Sequence, residues 1–500
     1  MSTFAETTAA ETPLPPPRFD FPTWMPPMFV KELRQGLRTR GFIGSMVGFQ
    51  AIMVIAFVWA FASNIFGESR ALQTVNGFFW SILGVMLLVI TPLRAMAGLR
   101  QEIDAKTLDL LMLTHLTSWR VVLGKWTSLL AQAALLVMAL LPYGVVRYYF
   151  GAVDLLEDFM GIAMMFMGCA GLTALALWLS GLPRILRIGV PIVCFFLLQG
   201  IGSNSFRFGR VFHGFNPSGD DWWVVCLFVF NFSLLLLFFL VQAVRRIAPP
   251  AENHSPLARG VALLTLLPVV PLYLLEGGMP NATIAQMWFA VVALGLVSVI
   301  EISSLRVPMA VQVRTWWERG RFMSVLGRLV LQGWPSAMLF TVFWLALAAI
   351  AAQMGLIQLP GAGRIEMVWL FVLLWAALVF PMVLLSFAPR VGRQAPLFYF
   401  IIQALFGILC IMEGNSSTTT AINPLVEKLR WFFHVLPVAS FWLEAADLGS
   451  RPGNNGRYLV GQAVMVGLLT PLVVWRMGFY WQWVRTQVLF VKRRKAAASE

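Results

Sequence analysis

Apolar runs of about 20 residues, bounded by charged residues, glycines and prolines, recur along the whole chain. A helix needs about 20 apolar residues to cross the hydrocarbon layer of a membrane, and it pairs its backbone polar groups within one segment. The pattern therefore predicts an all-α polytopic membrane protein with about twelve transmembrane helices. The predicted spans are residues 42–61, 77–96, 126–149, 159–179, 185–201, 222–241, 261–275, 287–302, 336–352, 367–385, 396–412 and 458–474.

The composition excludes a soluble globular protein. Hydrophobic residues make up 59% of the chain and charged residues only 12%, whereas a soluble domain contains roughly 25% charged residues. The four cysteines are solitary and the four histidines are scattered. Neither set forms a CxxC or HExxH motif, so we predict no metal site, no catalytic residue and no cofactor bound by this chain.

The formal net charge of +14 is unevenly distributed. If the N-terminus is cytoplasmic, roughly three quarters of the Lys and Arg residues fall in the two tails and in the internal loops, as the positive-inside rule requires. This distribution predicts cytoplasmic termini and a multi-pass position in the plasma membrane, which is the inner membrane of a bacterium. The same distribution indicates that the positive charge serves the membrane surface, so no nucleic-acid partner is predicted.

A segment before the first span has two distinct helical faces. Its apolar residues recur every four positions, at Phe29, Leu33 and Leu37, and its basic residues form another face: Lys31, Arg34 and Arg38. Such a helix lies in the membrane interface with its basic side towards anionic headgroups. An ordinary basic flank would explain the charge but not the apolar stripe, so we predict an interfacial elbow helix over residues 27–41.

The connection between spans two and three, residues 97–125, also has a helical pattern. It opens with charged residues and then places Leu108, Leu111 and Met112 at helical spacing. Thr107 suits the N-cap of such a helix. Its apolar face must dock on the spans of this chain or on a partner protein.

Together the two segments resemble the membrane subunit of type-2 ABC exporters. In that family a "KELR..LR.R" elbow helix precedes the first span, and Lys31 to Arg40 match it. A coupling helix between spans two and three follows the pattern "E…TLELLLLTPLS…LLGK". The residues that match it are Glu102, Thr107, Leu108, Asp109, Leu110, Leu111, Leu113, Thr114, Leu116, Gly124 and Lys125, while Lys106 and His115 replace a Gly and a Pro. Residues 245–253 also look like the segment that closes the family's six-span unit, so the resemblance covers about residues 27–253.

The resemblance implies a permease subunit that exports a substrate from the cytoplasm, with ATP bound and hydrolysed by a separate ABC ATPase subunit. The implied ATPase-coupling residues are Glu102, Thr107, Leu108, Leu111, Met112 and Thr114, and the lipid bilayer is the other partner. The sequence is consistent with ATP binding on another chain, because it contains no GxxxxGK[ST] phosphate-binding motif. A homodimer or a second permease chain is left open.

Five regions are expected. They are a Pro-rich cytoplasmic tail (1–26), the elbow helix (27–41), a six-span permease unit (42–250), a second six-span unit (251–480) and a basic cytoplasmic tail (481–500). The second unit is either a degenerate repeat of the first or an accessory block. Its internal loop, residues 303–335, carries arginines and tryptophans that suit a helix at the membrane surface.

Two rival functions remain open from the sequence. One is an integral membrane transferase acting on lipid-linked substrates, and the other is a non-transporting membrane scaffold for an ATPase. An adjacent gene for an ATP-binding-cassette protein would separate the permease from the transferase. A transport assay would separate the permease from the scaffold.

Overall fold

The computed structural model describes residues 26–65, 71–105, 117–149, 155–181, 222–249, 252–268, 321–353 and 456–497, and single positions between 286 and 316 and between 379 and 402. These residues lie in helices and short connections, and none of them lies in a strand. Five of the helices are long and apolar enough to cross a membrane, as expected of a multi-pass membrane protein. The all-α prediction is confirmed for the described part of the chain.

The first two helices are separated by a tight turn at Thr39. Helix α1 spans Pro27–Leu37 and begins with a proline, which suits the first helical position because its missing N–H needs no partner there. Helix α2 spans Arg40–Ile65 and is almost entirely apolar. The Thr39 hydroxyl donates a hydrogen bond to the Gly36 carbonyl (2.7 Å) and accepts one from the Phe42 backbone N–H (3.3 Å). The threonine therefore ends one helix and caps the next.

The second predicted span is a continuous helical run with a local irregularity. It comprises α3 (Ala71–Gly84), a π-helical turn (Val85–Ile90) and α4 (Thr91–Asp104). Pro92 cannot donate a backbone hydrogen bond, and a wider turn just before it accommodates that loss. The Thr91 hydroxyl donates to the Met86 carbonyl at 2.8 Å and so satisfies a carbonyl at the wide turn.

Three further long helices complete the described part of the first half. They are α5 (Ser118–Tyr149), α6 (Leu155–Ser180) and α7 (Trp222–Ile247). Helix α6 packs against α4, α5 and α7. One core joins α2, α3, α5 and α6 around Leu87 and Cys169, and a second joins α4 to α7 around Leu99 and Leu177.

The second half is described in part. Helices α8 (Ser255–Leu264), α9 (Arg321–Val330), α10 (Trp334–Gln353) and α11 (Gly456–Ala497) belong to it. Helices α8 and α10 pack on α7 through one apolar core, in which Trp344 donates its indole N–H to the Ala262 carbonyl at 3.1 Å. Helix α11 has 42 residues, a length of about 63 Å, which is about twice the hydrocarbon thickness.

The internal loop of the second half contacts the end of α11. Trp316 packs with Val313 and Leu331 against Tyr480, Trp481 and Val484 of α11. The Arg314 guanidinium lies 4.1 Å from the centre of the Phe490 ring. The position of this loop at a membrane surface stays a prediction, but part of its aromatic character is used for contacts within the protein.

Several long helices leave large apolar side chains exposed. Along α2 these include Ile43, Val47, Ile52, Val54, Ile55, Val58 and Phe61, and along α11 they include Leu468, Val474 and Trp475. An apolar surface of this extent is not stable in water. Lipid is the solvent that such helices require.

Polar residues inside the spans form hydrogen bonds between helices. Gln50 on α2 donates to the Ala139 carbonyl on α5 at 2.7 Å. Asn231 on α7 and Gln286 exchange two amide hydrogen bonds of 2.6 and 3.0 Å. Hydrogen bonds of this kind between helices are typical of amide side chains within membrane spans.

The five apolar helices coincide with predicted spans one, two, three, four and six. The ninth predicted span lies within α10 and the twelfth within α11, whereas α8 ends at Leu264, inside the predicted seventh span. The fifth span, parts of the seventh and eighth and most of the tenth and eleventh lie outside the described residues, so the count of twelve stays a prediction. The same holds for the relation of the second half to the first as a repeat. The predicted basic tail begins within α11, which continues to Ala497.

Candidate functional site

Three charged residues from separate helices meet at one end of the bundle. Lys125 on α5 places its Nζ atom 2.7 Å from Glu102 Oε1 on α4 and 3.2 Å from Glu32 Oε2 on α1. Their side chains are 7%, 18% and 16% exposed, respectively. We call Glu32, Glu102 and Lys125 the ionic triad.

Helix α1 reaches the triad by packing along α5. Met28 and Leu33 are buried in this contact region. Met28, Glu32 and Gly36 follow one another at four-residue intervals, so they share a helical face. The apolar and acidic residues of α1 are thereby directed to α5, while Lys31, Arg34 and Arg38 are exposed.

Glycine allows the close approach of α1 and α5 at two points. A Cβ atom added at Gly124 would lie 2.8 Å from Met28 Cγ, which is closer than real carbon atoms approach. An added Cβ at Gly36 would overlap the side-chain amide of Gln132. The Gly124–Lys125 pair therefore has two linked roles, since the glycine admits α1 and the lysine binds the glutamate that α1 carries.

The triad carries two carboxylates for one ammonium group, a formal charge of −1 in a largely buried place. Removing one partner of a buried ion pair costs about 3–5 kcal/mol, because the remaining charge stays desolvated. The side chains of Glu32 and Glu102 are more exposed than the core, although the Glu102 Oε2 atom is itself buried. Such a group can hold three helices together and still rearrange when one of them moves.

Most of the predicted coupling residues follow Glu102 in the sequence. Thr107, Leu108, Leu111, Met112 and Thr114 lie outside the described residues, so their predicted role stays a prediction. Glu102, the remaining member of that set, belongs to the triad. It lies five positions before Thr107, at the end of α4.

The predicted elbow residues lie in a helix, as expected. Leu33 is buried, and Phe29 and Leu37 are half-buried. The predicted apolar stripe is therefore partly covered by protein, in addition to any lipid contact. The interfacial position of the helix stays a prediction.

Sequence reasoning did not select Lys125 or Glu32 as site residues. The signal was available, because Lys125 is the single lysine of α5 and Glu32 is the single acidic residue of α1. Single charges of opposite sign beside long apolar helices are expected to pair, because an unpaired buried charge is costly.

A second ionic cluster lies at the other end of α5. Arg147 Nη1 lies 3.1 Å from Asp158 Oδ2 on α6, and Arg147 Nη2 donates to the Asn76 side chain on α3. The guanidinium also lies 4.2 Å from the centre of the Phe79 ring. Twenty-two positions separate Lys125 from Arg147, or about 33 Å along the helix. That separation matches a hydrocarbon thickness of about 30 Å.

A third ionic cluster joins the two halves of the chain. Glu301 is fully buried and pairs with Arg245 of α7 (3.2 Å) and with Arg259 of α8. On the connecting segment between α7 and α8, Glu252 accepts a hydrogen bond from Ser118 (3.3 Å) at the start of α5 and contacts His254 (2.9 Å). The segment after α7 is thereby fixed to the beginning of α5.

Among the described residues, no group of three His, Cys, Asp or Glu side chains is arranged to hold a metal ion. The chemistry available at the triad is ion pairing and its rearrangement. No protein-family model matches the chain, and comparisons with curated proteins and with solved structures found no match either.

Proposed function

We propose that this chain is the permease subunit of an ATP-driven exporter of the type-2 ABC class, with ATP hydrolysed by a separate ATPase subunit. The observation that carries the proposal is the ionic triad. Its three members come from the two sequence segments that carry the resemblance: Glu32 from the elbow motif, and Glu102 and Lys125 from the start and the end of the coupling motif.

The triad gives these segments a common mechanical role. Residues 106–116 lie outside the described residues and connect α4, which carries Glu102, to α5, which carries Lys125. A displacement of this segment would therefore act on both sides of the ion pair. Lys125 also binds Glu32, which extends the displacement to α1. An ATPase that grips residues 106–116 would therefore move α1, α4 and α5 together.

The contacts of Gly124 and Lys125 support hydrolysis on another chain. A lysine that binds nucleotide must reach the phosphates with its ammonium group. Here the ammonium group is bound by two carboxylates, and Gly124 packs against Met28. This Gly–Lys pair serves helix packing and is not a phosphate cradle.

The charge clusters on α5 support the proposed orientation. In the proposed topology the triad lies at the cytoplasmic surface and Arg147 at the outer surface, with both termini in the cytoplasm of a bacterium. The basic residues of α1 then face the leaflet that is rich in anionic lipid. The second half adds a further membrane unit whose own contact with an ATPase is weaker or altered.

The test is co-purification of the full chain with an ABC ATPase encoded beside it, followed by measurement of ATP hydrolysis in proteoliposomes. The unmodified chain should retain the ATPase and stimulate it. Leu111→Asp should abolish retention, because a few buried apolar anchors dominate such interfaces. Leu257→Asp is the matched control, since it places the same charge at an exposed leucine of α8.

The proposal fails if no ABC ATPase is retained by the unmodified chain. Equal retention by Leu111→Asp would leave the pairing intact but would contradict the placement of the contact. Stimulated ATP hydrolysis without movement of any substrate would favour the scaffold function.

A further inference from the structure

Arg94 is a charged residue within the second membrane helix, and its contacts are with neutral groups. Its Nη2 atom donates to Gln132 Oε1 on α5 at 2.8 Å and lies 3.5 Å from the Thr39 hydroxyl. The Phe42 ring centre lies 5.4 Å from the guanidinium carbon. Glu102 lies eight positions later on the same helix, about 12 Å away along the axis.

The surrounding helices offer Arg94 no available carboxylate. Helices α1, α2, α4 and α5 contain three acidic residues between them: Glu32, Glu102 and Asp104. Lys125 binds the first two, and Arg100 binds Asp104 at 2.7 Å. A charged side chain at this depth is expensive unless it meets an opposite charge or reaches the headgroup region.

The turn beside Arg94 adds more positive charge. Arg38 and Arg40 flank Thr39, whose hydroxyl is the group near Arg94, and both arginines are exposed. Three arginines therefore surround one short turn between α1 and α2. This density of like charge favours an anion as the missing partner.

The space beside Arg94 is open. Gly98 lies one helical turn after Arg94 on the same face of α4. A Cβ atom added at Gly98 or at Gly41 would meet no other atom within 4 Å. Exposed apolar residues are close along the chain to the groups that contact or include Arg94: Ile43 and Val47 follow Phe42 on α2, and Leu93 precedes Arg94 on α4.

We propose that Arg94 and the Arg38–Arg40 turn form a binding site for the phosphate of an anionic phospholipid. A guanidinium group matches phosphate oxygens in a two-point geometry. The exposed apolar residues of α2 and α4 would contact the acyl chains, which a free phosphate ion does not have. The site depends on the depth of Arg94 in the membrane and not on any ATPase partner.

The test is the thermal unfolding of the full chain in micelles that contain phosphatidylglycerol or phosphatidylcholine with identical acyl chains. The unmodified protein should unfold several degrees higher with phosphatidylglycerol. Arg94→Gln should lose most of this difference. Gly98→Leu should lose it as well, because the new side chain fills the space that the headgroup needs.

Gly98→Leu also serves as a second variant in case Arg94→Gln fails to fold, since a Cβ atom added at Gly98 meets no other atom within 4 Å. Gly77→Leu is its matched control, because Gly77 lies on the same continuous helix at the opposite end and is equally open. It should keep the full difference. A difference that survives both Arg94→Gln and Gly98→Leu would overturn the proposal.

A separate titration with inorganic phosphate distinguishes a lipid from a free anion. Phosphate in phosphatidylcholine micelles should leave the unfolding temperature unchanged. If it reproduced the shift seen with phosphatidylglycerol, and Arg94→Gln removed that shift, the site would bind a free anion and the lipid proposal would be wrong.

Discussion

The two ends of α5 carry similar charges in different arrangements. At one end Lys125 joins two carboxylates, from α1 and α4, that are 16% and 18% exposed. At the other end Arg147 is 3% exposed and pairs with Asp158, Asn76 and the Phe79 ring. The Arg147 cluster pairs one cation with one carboxylate and packs the guanidinium on an aromatic ring. This arrangement suits a rigid structural contact. The ionic triad has an excess of negative charge and borders the segment proposed to meet the ATPase, so it is suited to rearrangement.

The largest expected loss of stability is at the Arg147 end. Arg147→Met should lower the free energy of unfolding by about 3–5 kcal/mol, because it strands the Asp158 carboxylate and removes the contact with Phe79. Unfolding in mixed micelles by SDS titration measures this. Arg147→Lys should lose less, since it keeps the charge. If Arg147→Met lowered the free energy of unfolding by less than about 1 kcal/mol, the cluster would not be important for stability.

Lys125→Met should lower the free energy of unfolding by about 3 kcal/mol, less than Arg147→Met, because Lys125 makes ion pairs alone whereas Arg147 also binds Asn76 and the Phe79 ring. Combining it with Glu102→Gln should cost less than the sum of the single changes, by about 1 kcal/mol, since the double variant contains one stranded carboxylate fewer. The same SDS titration measures all three variants. If the losses of the two single variants added up to the loss of the double variant, Lys125 and Glu102 would not act as one ionic group.

Gly124→Ala tests the packing that brings α1 to Lys125. The added methyl group would lie too close to Met28, so we expect a loss of about 1–2 kcal/mol. Gly41→Ala is the matched control, because its Cβ would meet no atom within 4 Å, and it should be neutral or stabilising. If both variants gave the same change, the close approach of α1 and α5 would not matter for stability.

The smallest effect is expected at the exposed pair of Arg100 and Asp104, which lies on α4 close to the triad. Their side chains are 32% and 57% exposed. Asp104→Asn should change the free energy of unfolding by no more than about 0.5 kcal/mol, because exposed ion pairs contribute little. A larger loss would show that proximity to the triad, and not burial, determines the effect.

The hydrophobic pattern predicted the fold where it was strongest. Runs of about 20 apolar residues bounded by charges gave spans one, two, three, four and six, which the structure describes as long apolar helices. The same pattern could not reveal the π-helical turn before Pro92, because a change of hydrogen-bond register leaves hydrophobicity unchanged. It also missed the continuation of α11 to Ala497, since polar residues in a helix resemble a tail.

The candidate site was predicted in part. Glu102 was selected from its place in a motif, and the structure adds its partners, Glu32 and Lys125. Those partners are separated from it by 70 and 23 positions along the chain, so the local sequence could mark each as a charge that needs a partner but could not show which charges would meet. The sequence also could not show that Gly36 and Gly124 allow close packing, because that role depends on α1 and α5 lying side by side.

The most direct test of the central claim compares Glu102→Gln with Asp158→Asn in ATPase stimulation. Both changes are isosteric, and each removes one carboxylate, 18% and 14% exposed, from a cation on α5. In proteoliposomes with the co-purified ATPase, Glu102→Gln should reduce stimulation about tenfold, as expected for a coupling free energy of 1–3 kcal/mol, while the ATPase stays bound. Asp158→Asn should keep nearly full stimulation. Equal stimulation by the two variants, whether retained or lost, would contradict the account.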